Sequence, residues 1–167
     1  MSDNFQECAV AFLDILGFKT IISDAEESPV GLQRLVDLRK VLDDHVDFDN
    51  STVHPNVPPS MRPKYLFVSD SIIFSAPLKY DQYDGLDIVI VKCIQVAQKI
   101  LQLGHLVRGG VSVGKVWHDD KNIFGSGYID AYGMEGKAIH PKILLSKHAS
   151  EIWRQPSRFA PKLCQRY

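Results

Sequence analysis

Two aspartates occupy positions where their chemistry calls for an explanation. Asp14 stands near the end of the apolar run 8–16, and Asp70 stands between the apolar runs 65–68 and 72–74. Each aspartate alone is an ordinary strand-end or turn residue, although a buried carboxylate without a partner costs free energy. Two carboxylates that converge in a low dielectric repel each other unless a cation lies between them. Two-metal phosphoryl chemistry uses this arrangement, so both residues are candidate metal ligands.

The segments around the two aspartates predict how they meet. Residues 8–16 form a nearly continuous apolar run that ends at Gly17, which is typical of a central strand covered on both faces. The sequence Ser69-Asp70-Ser71 separates two apolar runs and indicates a tight hairpin with Asp70 at its tip. In a ferredoxin-like sheet the first strand and this hairpin are central neighbours, so both carboxylates are expected at one edge of the sheet.

The remaining segments complete an α+β pattern. A helix begins at Ser28-Pro29, and further helices are predicted over 86–103, 127–138 and 147–153, with strands over 107–117, 122–124 and 143–145 and a proline-containing loop over 48–63. The resulting order, β-α-β-β-α-β-β-α-β, contains the βαββαβ core of ferredoxin-like folds. We therefore predict an α+β domain with an antiparallel sheet and helices on one face.

Length and composition restrict the class of protein. The chain has 167 residues, 45% hydrophobic and 23% charged, which fits one globular domain over residues 1–167. The net charge of −1 argues against a general nucleic-acid binder. No apolar run is long enough to cross a membrane, the N-terminus lacks the features of a signal peptide, and three separated cysteines form neither a disulfide framework nor a zinc pattern. We expect a cytoplasmic protein with reduced thiols.

Charge is unevenly distributed along the chain. Residues 1–50 carry 11 acidic and 4 basic side chains, a net charge of −7, which leaves +6 for the rest of a chain whose total is −1. A solvated surface explains this asymmetry without any function. The alternative is a basic flank that attracts phosphate and faces an acidic partner surface.

Four segments resemble, in order, the motifs of class III nucleotide cyclases. Residues 12–18 (FLDILGF) resemble the first metal motif, 68–71 (VSDS) the hairpin with the second metal aspartate, and 106–114 (LVRGGVSVG) a Leu-x-Arg-x-Gly-x-x-x-Gly strand. Phe124-Gly125, followed by Ala131, Met134 and Glu135, has the spacing of the segment that opens the last active-site helix. The resemblance covers residues 8 to about 145.

The resemblance implies a metal-dependent enzyme that acts on a nucleoside triphosphate. In such enzymes Asp14 and Asp70 would hold two divalent metals, Mn²⁺ or Mg²⁺, with help from the carbonyl of Ile15. It also implies a head-to-tail homodimer with active sites between the chains. The family often continues beyond this length with a phosphate-binding lysine, so a C-terminal extension after Tyr167 is an expectation. From the residues themselves, Phe18 and Tyr65 are candidates for stacking on a base, or are simply core aromatics.

The chain departs from purine cyclases at four positions. Leu66 replaces the Lys or Glu that reads the base, and Asn122 replaces an Asp or Cys. Ile129 and Gly133 replace the Asn and Arg that stabilise the transition state. Other basic residues would then have to contact the phosphates, and the candidates are Arg108, Lys115 and Lys142.

Loss of the purine-reading pair with both aspartates retained resembles the Pycsar pyrimidine (uridylate or cytidylate) cyclases of bacterial antiphage defence. This resemblance implies conversion of UTP, in preference to CTP, to the 3′,5′-cyclic monophosphate and pyrophosphate, a second messenger read by a separate effector. Two alternatives stay open. Ile129 and Gly133 favour an inactive cyclase-like regulatory domain, and a purine cyclase with an unusual base pocket, or another two-metal nucleotidyl-transfer domain, has the same carboxylates.

Overall fold

The structure, a computed structural model, describes residues 4–46, 62–80 and 83–155. In chain order its strands are β1 (Gln6–Ile15), β2 (Lys64–Val68), β3 (Ser71–Pro77), β4 (Lys79–Tyr80), β5 (Tyr83–Asp84), β6 (Val107–His118), β7 (Ile123–Phe124) and β8 (Ile143–Leu145). Its helices are α1 (Phe18–Glu27), α2 (Pro29–Val46), α3 (Gly85–Gln102), α4 (Ser126–Glu135) and α5 (Lys147–Trp153).

The main sheet has six strands and places β1 at its centre. The strand order is β2-β3-β1-β6-β7, with β8 paired to β6, while β4 and β5 form a separate pair. β1 runs antiparallel to both β3 and β6, and β8 is parallel to β6. The α+β class predicted from the sequence is confirmed, including the central position of the first strand beside the hairpin.

β1 is buried on both faces, as its apolar run predicts. One face contributes Ala9, Ala11, Leu13 and Ile15 to a core with residues of α1, α2, α3 and α5. The removal of these apolar side chains from water is the main stabilising contribution to such a fold. The thiols of Cys8 and Cys93 are buried, and burial raises the pKa of Cys8 to about 11 and that of Cys93 to about 12, so both act as core residues.

The arrangement of the helices differs from the prediction in one detail, because α4 lies on the opposite face of the sheet. There Ala131 packs with Cys8, Val10 and Phe12. A glycine of β6 makes the approach possible, since a Cβ on Gly110 would lie 2.3 Å from the Cβ of Met134. The helices therefore cover two faces of the sheet rather than one.

Helix α1 was not predicted from the sequence. Gly17, at φ 77°, turns the chain directly from β1 into this helix, which buries Ile21 against the sheet. Helix α2 begins at Pro29 as predicted, and α5 has the predicted bounds. Most of the proline-containing loop at 48–63 lies outside the described residues. Within the described ranges, the helices are too short or too polar to cross a membrane.

Candidate active site

The β2–β3 hairpin carries Asp70 to the end of β1. Asp14 is the register partner of Ser71, and the backbone N–H of Ile15 donates to the carbonyl oxygen of Asp70 at 3.1 Å. A two-residue turn joins the strands, with Ser69 at a positive φ of 59°, a conformation uncommon for residues other than glycine. Strand register and the turn together place Asp70 beside Asp14.

The surroundings of Asp14 oppose the ionisation of its carboxyl group. Burial raises the pKa of Asp14, and the negative charges of Asp70 and Glu135 raise it further. The guanidinium of Arg108 acts in the opposite direction, while a hydrogen bond between the Asp14 and Asp70 carboxyl groups again raises the pKa. Two carboxyl groups in hydrogen-bond contact favour either a shared proton or a bound cation.

Arg108 provides a positive charge at the same place. It is the register partner of Asp14 on β6, and its Nε lies 3.3 Å from Asp14 Oδ2. The same Nε lies 2.5 Å from Oε1 of Glu135, at the end of α4. Neither Arg108 Nε nor Glu135 Oε1 has a hydrogen bond of good geometry among the described residues, so the contact is an ion pair. Strands β1 and β6 and helix α4 therefore form one charged cluster.

The donor set fits an open divalent-cation site. In the described part of the chain, no group of three or more His, Cys, Asp or Glu side chains could enclose a metal ion. Two carboxylates with a nearby backbone carbonyl suit Mg²⁺ or Mn²⁺, which take oxygen ligands and leave positions for water and substrate phosphates. Asp14 and Asp70 would hold such ions, and the carbonyl of Ile15 is the third candidate.

The candidate base-reading residues are divided between the two faces of the sheet. Leu66 is half-buried and packs against the core on the α4 face. Phe18 packs on the α1–α3 face, together with Phe67. The ring of Tyr65 contacts that of Phe67 at 5.9 Å, which places Tyr65 on the same side as Phe18. The structure therefore does not bring Phe18 and Tyr65 together with Leu66.

Asn122 lies in the turn between β6 and β7. Its backbone N–H donates to Asp119 Oδ1 at 2.7 Å, and its side-chain amide points to the same oxygen at 3.4 Å. Hydrogen bonds from the Lys121 and Asn122 backbone hold the pKa of Asp119 below its usual value. Asn122 is exposed, so its amide can exchange this weak intrachain contact for a ligand.

The three basic candidates occupy different places. Arg108 is at the carboxylates, whereas Lys115 is exposed seven residues along the same strand, roughly 23 Å away. The carbonyl of Lys142 accepts from the backbone N–H of Gly109 at 3.0 Å, which puts Lys142 beside the residue that follows Arg108. Of these three residues, the structure places Arg108 in contact with a candidate metal ligand.

The two positions that lack the family's transition-state side chains lie on α4. Ile129 is 65% exposed. Gly133 is also exposed, and a Cβ there would meet open space. Neither residue offers a polar group to a ligand.

Two polar groups have contacts that the sequence does not predict. Glu135, which the sequence singles out only by its spacing, is 7% exposed and contacts Arg108. The sequence does contain one indication of this burial, because Glu135 comes four residues after the apolar Ala131 and so lies on the same side of the helix. His118 is 8% exposed, and its Nδ1 lies 2.7 Å from Ser75 Oγ.

His118 borders a small polar cavity at the other end of the sheet. Lys64 Nζ donates to the His118 carbonyl oxygen. Burial, followed by the charge of Lys64, lowers the pKa of His118 to about 4, so the ring is neutral at pH 7. The cavity has a volume of about 30 Å³ and is also lined by Cys8, six residues before Asp14 on β1.

Comparison with known proteins places this fold among nucleotide cyclase domains. The guanylate cyclase domain of RhGC from Catenaria anguillulae, in complex with GTP, is 13% identical with a TM-score of 0.59, over 92% of this chain and 85% of that one. An adenylate/guanylate cyclase/hydrolase from Silicibacter pomeroyi is 16% identical with a TM-score of 0.58, over 89% and 79% of the two chains. A non-canonical dimeric guanylyl cyclase domain of the RhoGC fusion protein from Blastocladiella emersonii is 14% identical with a TM-score of 0.58, over 90% and 84% of the two chains.

Sequence comparisons add nothing to this result. No protein-family model matches the chain, and no curated protein matches it. At these low identities the structural likeness shows the fold, which the chain shares with solved adenylate and guanylate cyclase domains.

Proposed function

We propose that this single domain is a metal-dependent nucleotidyl cyclase that converts a pyrimidine nucleoside triphosphate, UTP in preference to CTP, to the 3′,5′-cyclic monophosphate and pyrophosphate. The observation that carries the proposal is the position of Asp70 beside Asp14 at the end of the β1–β3 pair, which follows from the strand register and the hydrogen bond from the Ile15 N–H to the Asp70 carbonyl oxygen. In a cyclase fold, paired carboxylates at this place have a direct chemical use, since phosphoryl transfer needs cations to neutralise the triphosphate.

The residues around the pair are suited to that reaction. Asp14 and Asp70 would hold the cations, which would lower the pKa of the ribose 3′-hydroxyl and neutralise the triphosphate. Arg108, in contact with Asp14, presents a further positive charge toward the phosphates. The ribose 3′-oxygen forms a bond to the α-phosphorus, and its proton passes to solvent. The bond between the α-phosphorus and the oxygen that bridges it to the β-phosphorus breaks, and pyrophosphate leaves.

The preference for a pyrimidine is supported by the residues at the family's base-reading positions. Leu66 packs in the core of the α4 face and offers no hydrogen-bonding group. A purine edge buried against it would leave polar atoms unpaired, at about 1–3 kcal/mol each. The Asn122 amide both donates and accepts, so it can face uracil or cytosine. UTP in preference to CTP, a role in antiviral defence and a separate effector for the product rest on the resemblance alone.

Assembly as a homodimer is part of the proposal. Large apolar side chains are exposed around α4, namely Phe124, Ile129 and Tyr132. Large exposed apolar side chains commonly mark an interface, and one structural neighbour is a non-canonical dimeric cyclase domain. A second copy on this face would bring the α4 side of one chain opposite the carboxylates of the other.

Two competing functions each have one observation in their favour. The structural neighbours are guanylate and adenylate/guanylate cyclases, whose substrates are purine nucleotides, and this favours a purine cyclase. Ile129 and Gly133 provide no polar side chain at the two α4 positions where the resemblance to cyclases places transition-state groups, which favours a nucleotide-binding domain without turnover.

Mass spectrometry after incubation with all four nucleoside triphosphates and Mn²⁺ separates these functions. Cyclic UMP or cyclic CMP supports the proposal, whereas cyclic AMP or cyclic GMP as the main product replaces it with a purine cyclase. No product, together with intact triphosphate binding by equilibrium dialysis, would leave a binding domain.

A further inference from the structure

A buried acid lies behind the carboxylate pair, on a different element. Glu135 ends α4, and its Oε1 lies 2.5 Å from Arg108 Nε. The same Nε lies 3.3 Å from Asp14 Oδ2. One guanidinium is therefore shared between a candidate metal ligand and an acid that has no place in the proposed metal site.

Packing fixes Glu135 relative to the strand that carries Arg108. A Cβ on Gly110 would lie 3.1 Å from the Glu135 backbone nitrogen, so helix and strand are in close contact there. At the other end of α4, Ser112 Oγ donates to the carbonyl of Gly127. Because Glu135 is 7% exposed, its charge needs a partner, and the structure provides Arg108.

The charges have opposing effects on Asp14. Glu135 adds a negative charge to the cluster, and Arg108 adds a positive charge that contacts both acids. A guanidinium paired with Asp14 alone would compete with a divalent cation for the same carboxylate oxygens. The closer contact with Glu135 draws the guanidinium away from those oxygens.

We infer that Glu135 is a positioning residue for the proposed metal site, an inference that rests on the proposed function. It holds Arg108 beside Asp14 without allowing Arg108 to neutralise it. The Asp14 carboxylate stays available to a divalent cation, and the guanidinium stays at the edge of the site where a triphosphate would lie.

The test measures Mn²⁺ binding by electron paramagnetic resonance, without nucleotide and without turnover. In Glu135→Gln, Arg108 loses the negative charge of its second partner and forms an ion pair with Asp14 alone, so the Mn²⁺ dissociation constant should rise about tenfold. Asp130→Asn is the matched control, because Asp130 is an exposed acid on the same helix and its loss changes the net charge equally. This control should bind Mn²⁺ as the wild type does.

A double variant separates positioning from a general effect of charge or folding. If Glu135 acts through Arg108, then Arg108→Gln with Glu135→Gln should bind Mn²⁺ within about twofold of Arg108→Gln alone. An unchanged dissociation constant in Glu135→Gln, or an equal loss with and without Arg108, would overturn the inference. Should Glu135→Gln not fold, Glu135→Asp is measured instead. We expect its Mn²⁺ affinity to be roughly two- to fourfold weaker than that of the wild type, and an unchanged affinity would overturn the inference.

The proposed function fails separately from this inference. If the wild type and Asp14→Asn bind Mn²⁺ equally, no metal site exists at the carboxylates, and both proposals fall. If Asp14→Asn abolishes binding while Glu135→Gln leaves it unchanged, the metal site stands and the positioning role alone is refuted.

Discussion

Asp14 on β1 and Arg108 on β6 are register partners whose side chains form an ion pair of 3.3 Å at the edge of the sheet. Asp70 adjoins Asp14 on its other side, and Glu135 adjoins Arg108 from α4. Three carboxyl groups and one guanidinium thus form one cluster, in which Arg108 contacts Asp14 and Glu135. When all three are ionised, the cluster carries excess negative charge, which a divalent cation would balance.

The contact between α4 and β6 can be tested with a pair of glycine substitutions. In Gly110→Ala the new Cβ would lie 2.3 Å from Met134 Cβ and 2.4 Å from the Ala131 carbonyl oxygen. Backbone must shift to accommodate it, so we expect a loss of about 1–3 kcal/mol in the free energy of unfolding, together with reduced activity.

Gly133→Ala is the matched control for this contact, because a Cβ at that position on α4 meets no atom within 4 Å. Alanine favours a helix over glycine by about 0.5–1 kcal/mol, so this variant should be neutral or more stable. Urea denaturation measures both variants. Equal effects at the two positions would show that α4 is not packed as described.

The face that carries α4 should form the dimer interface. Ile129→Asp places a charge on an exposed apolar position of α4, and we expect sedimentation velocity to show a shift toward monomer with loss of activity but no loss of melting temperature. Ile94→Asp is the control, since Ile94 on α3 is 61% exposed and Ile129 is 65% exposed. An active, strictly monomeric wild type would refute the homodimer.

Stability should fall in mild acid because of His118. Its folded pKa of about 4 lies below the ordinary value of 6.5, so the unfolded chain takes up a proton first as the pH falls. The stability that the neutral His118 ring contributes is fully present above pH 6.5 and is lost as the pH falls toward 4. Burial has the largest effect and lowers the pKa of His118. The charge of Lys64 lowers it further, whereas Asp119 and Asp120 raise it.

Urea denaturation at about pH 7 and about pH 5 should therefore show a decrease of about 2 kcal/mol that His118→Gln largely removes. His148→Gln is the control, because His148 is exposed on α5 and should leave the decrease unchanged. A pH dependence that persists in full in His118→Gln would contradict the burial of a neutral ring.

Base choice should depend on Asn122. In Asn122→Ala the backbone N–H still donates to Asp119, so the turn is expected to survive. Loss of the amide should change the kcat/KM ratio between UTP and the other triphosphates by about tenfold, with a smaller effect on kcat. Lys121→Ala, at the exposed neighbouring position, is the control. Unchanged ratios in Asn122→Ala would exclude a base-reading role.

Local sequence pattern predicted the parts of the fold that depend on apolar periodicity. The run at 8–16 predicted β1, and two apolar runs around Ser69-Asp70-Ser71 predicted the hairpin, because burial on both sides fixes strand register. That register is what brings Asp14 and Asp70 together. Helix α1 was missed, since its direction depends on one residue, Gly17, in the left-handed conformation.

Features that depend on tertiary contacts were not visible in the sequence. Helix α4 can pack on the second face because Gly110 has no Cβ, which leaves room for the side chain of Met134. This contact joins residues far apart in the chain. The pairing of Glu135 with Arg108 follows from that packing. Phe18 and Tyr65 were considered for base stacking by residue type, and the fold places both on the face opposite Leu66.

The central claim is that Asp14 and Asp70 form the metal site of a nucleotide cyclase. The most direct measurement is the rate at which the wild type and Asp70→Asn convert UTP, in the presence of Mn²⁺, to cyclic UMP and pyrophosphate, with both products quantified together. We predict equal amounts of both products from the wild type, a rate lower by about 10³-fold or more in Asp70→Asn, and an unchanged or higher melting temperature without metal. Retention of more than about a tenth of the wild-type rate by a folded Asp70→Asn would contradict the account.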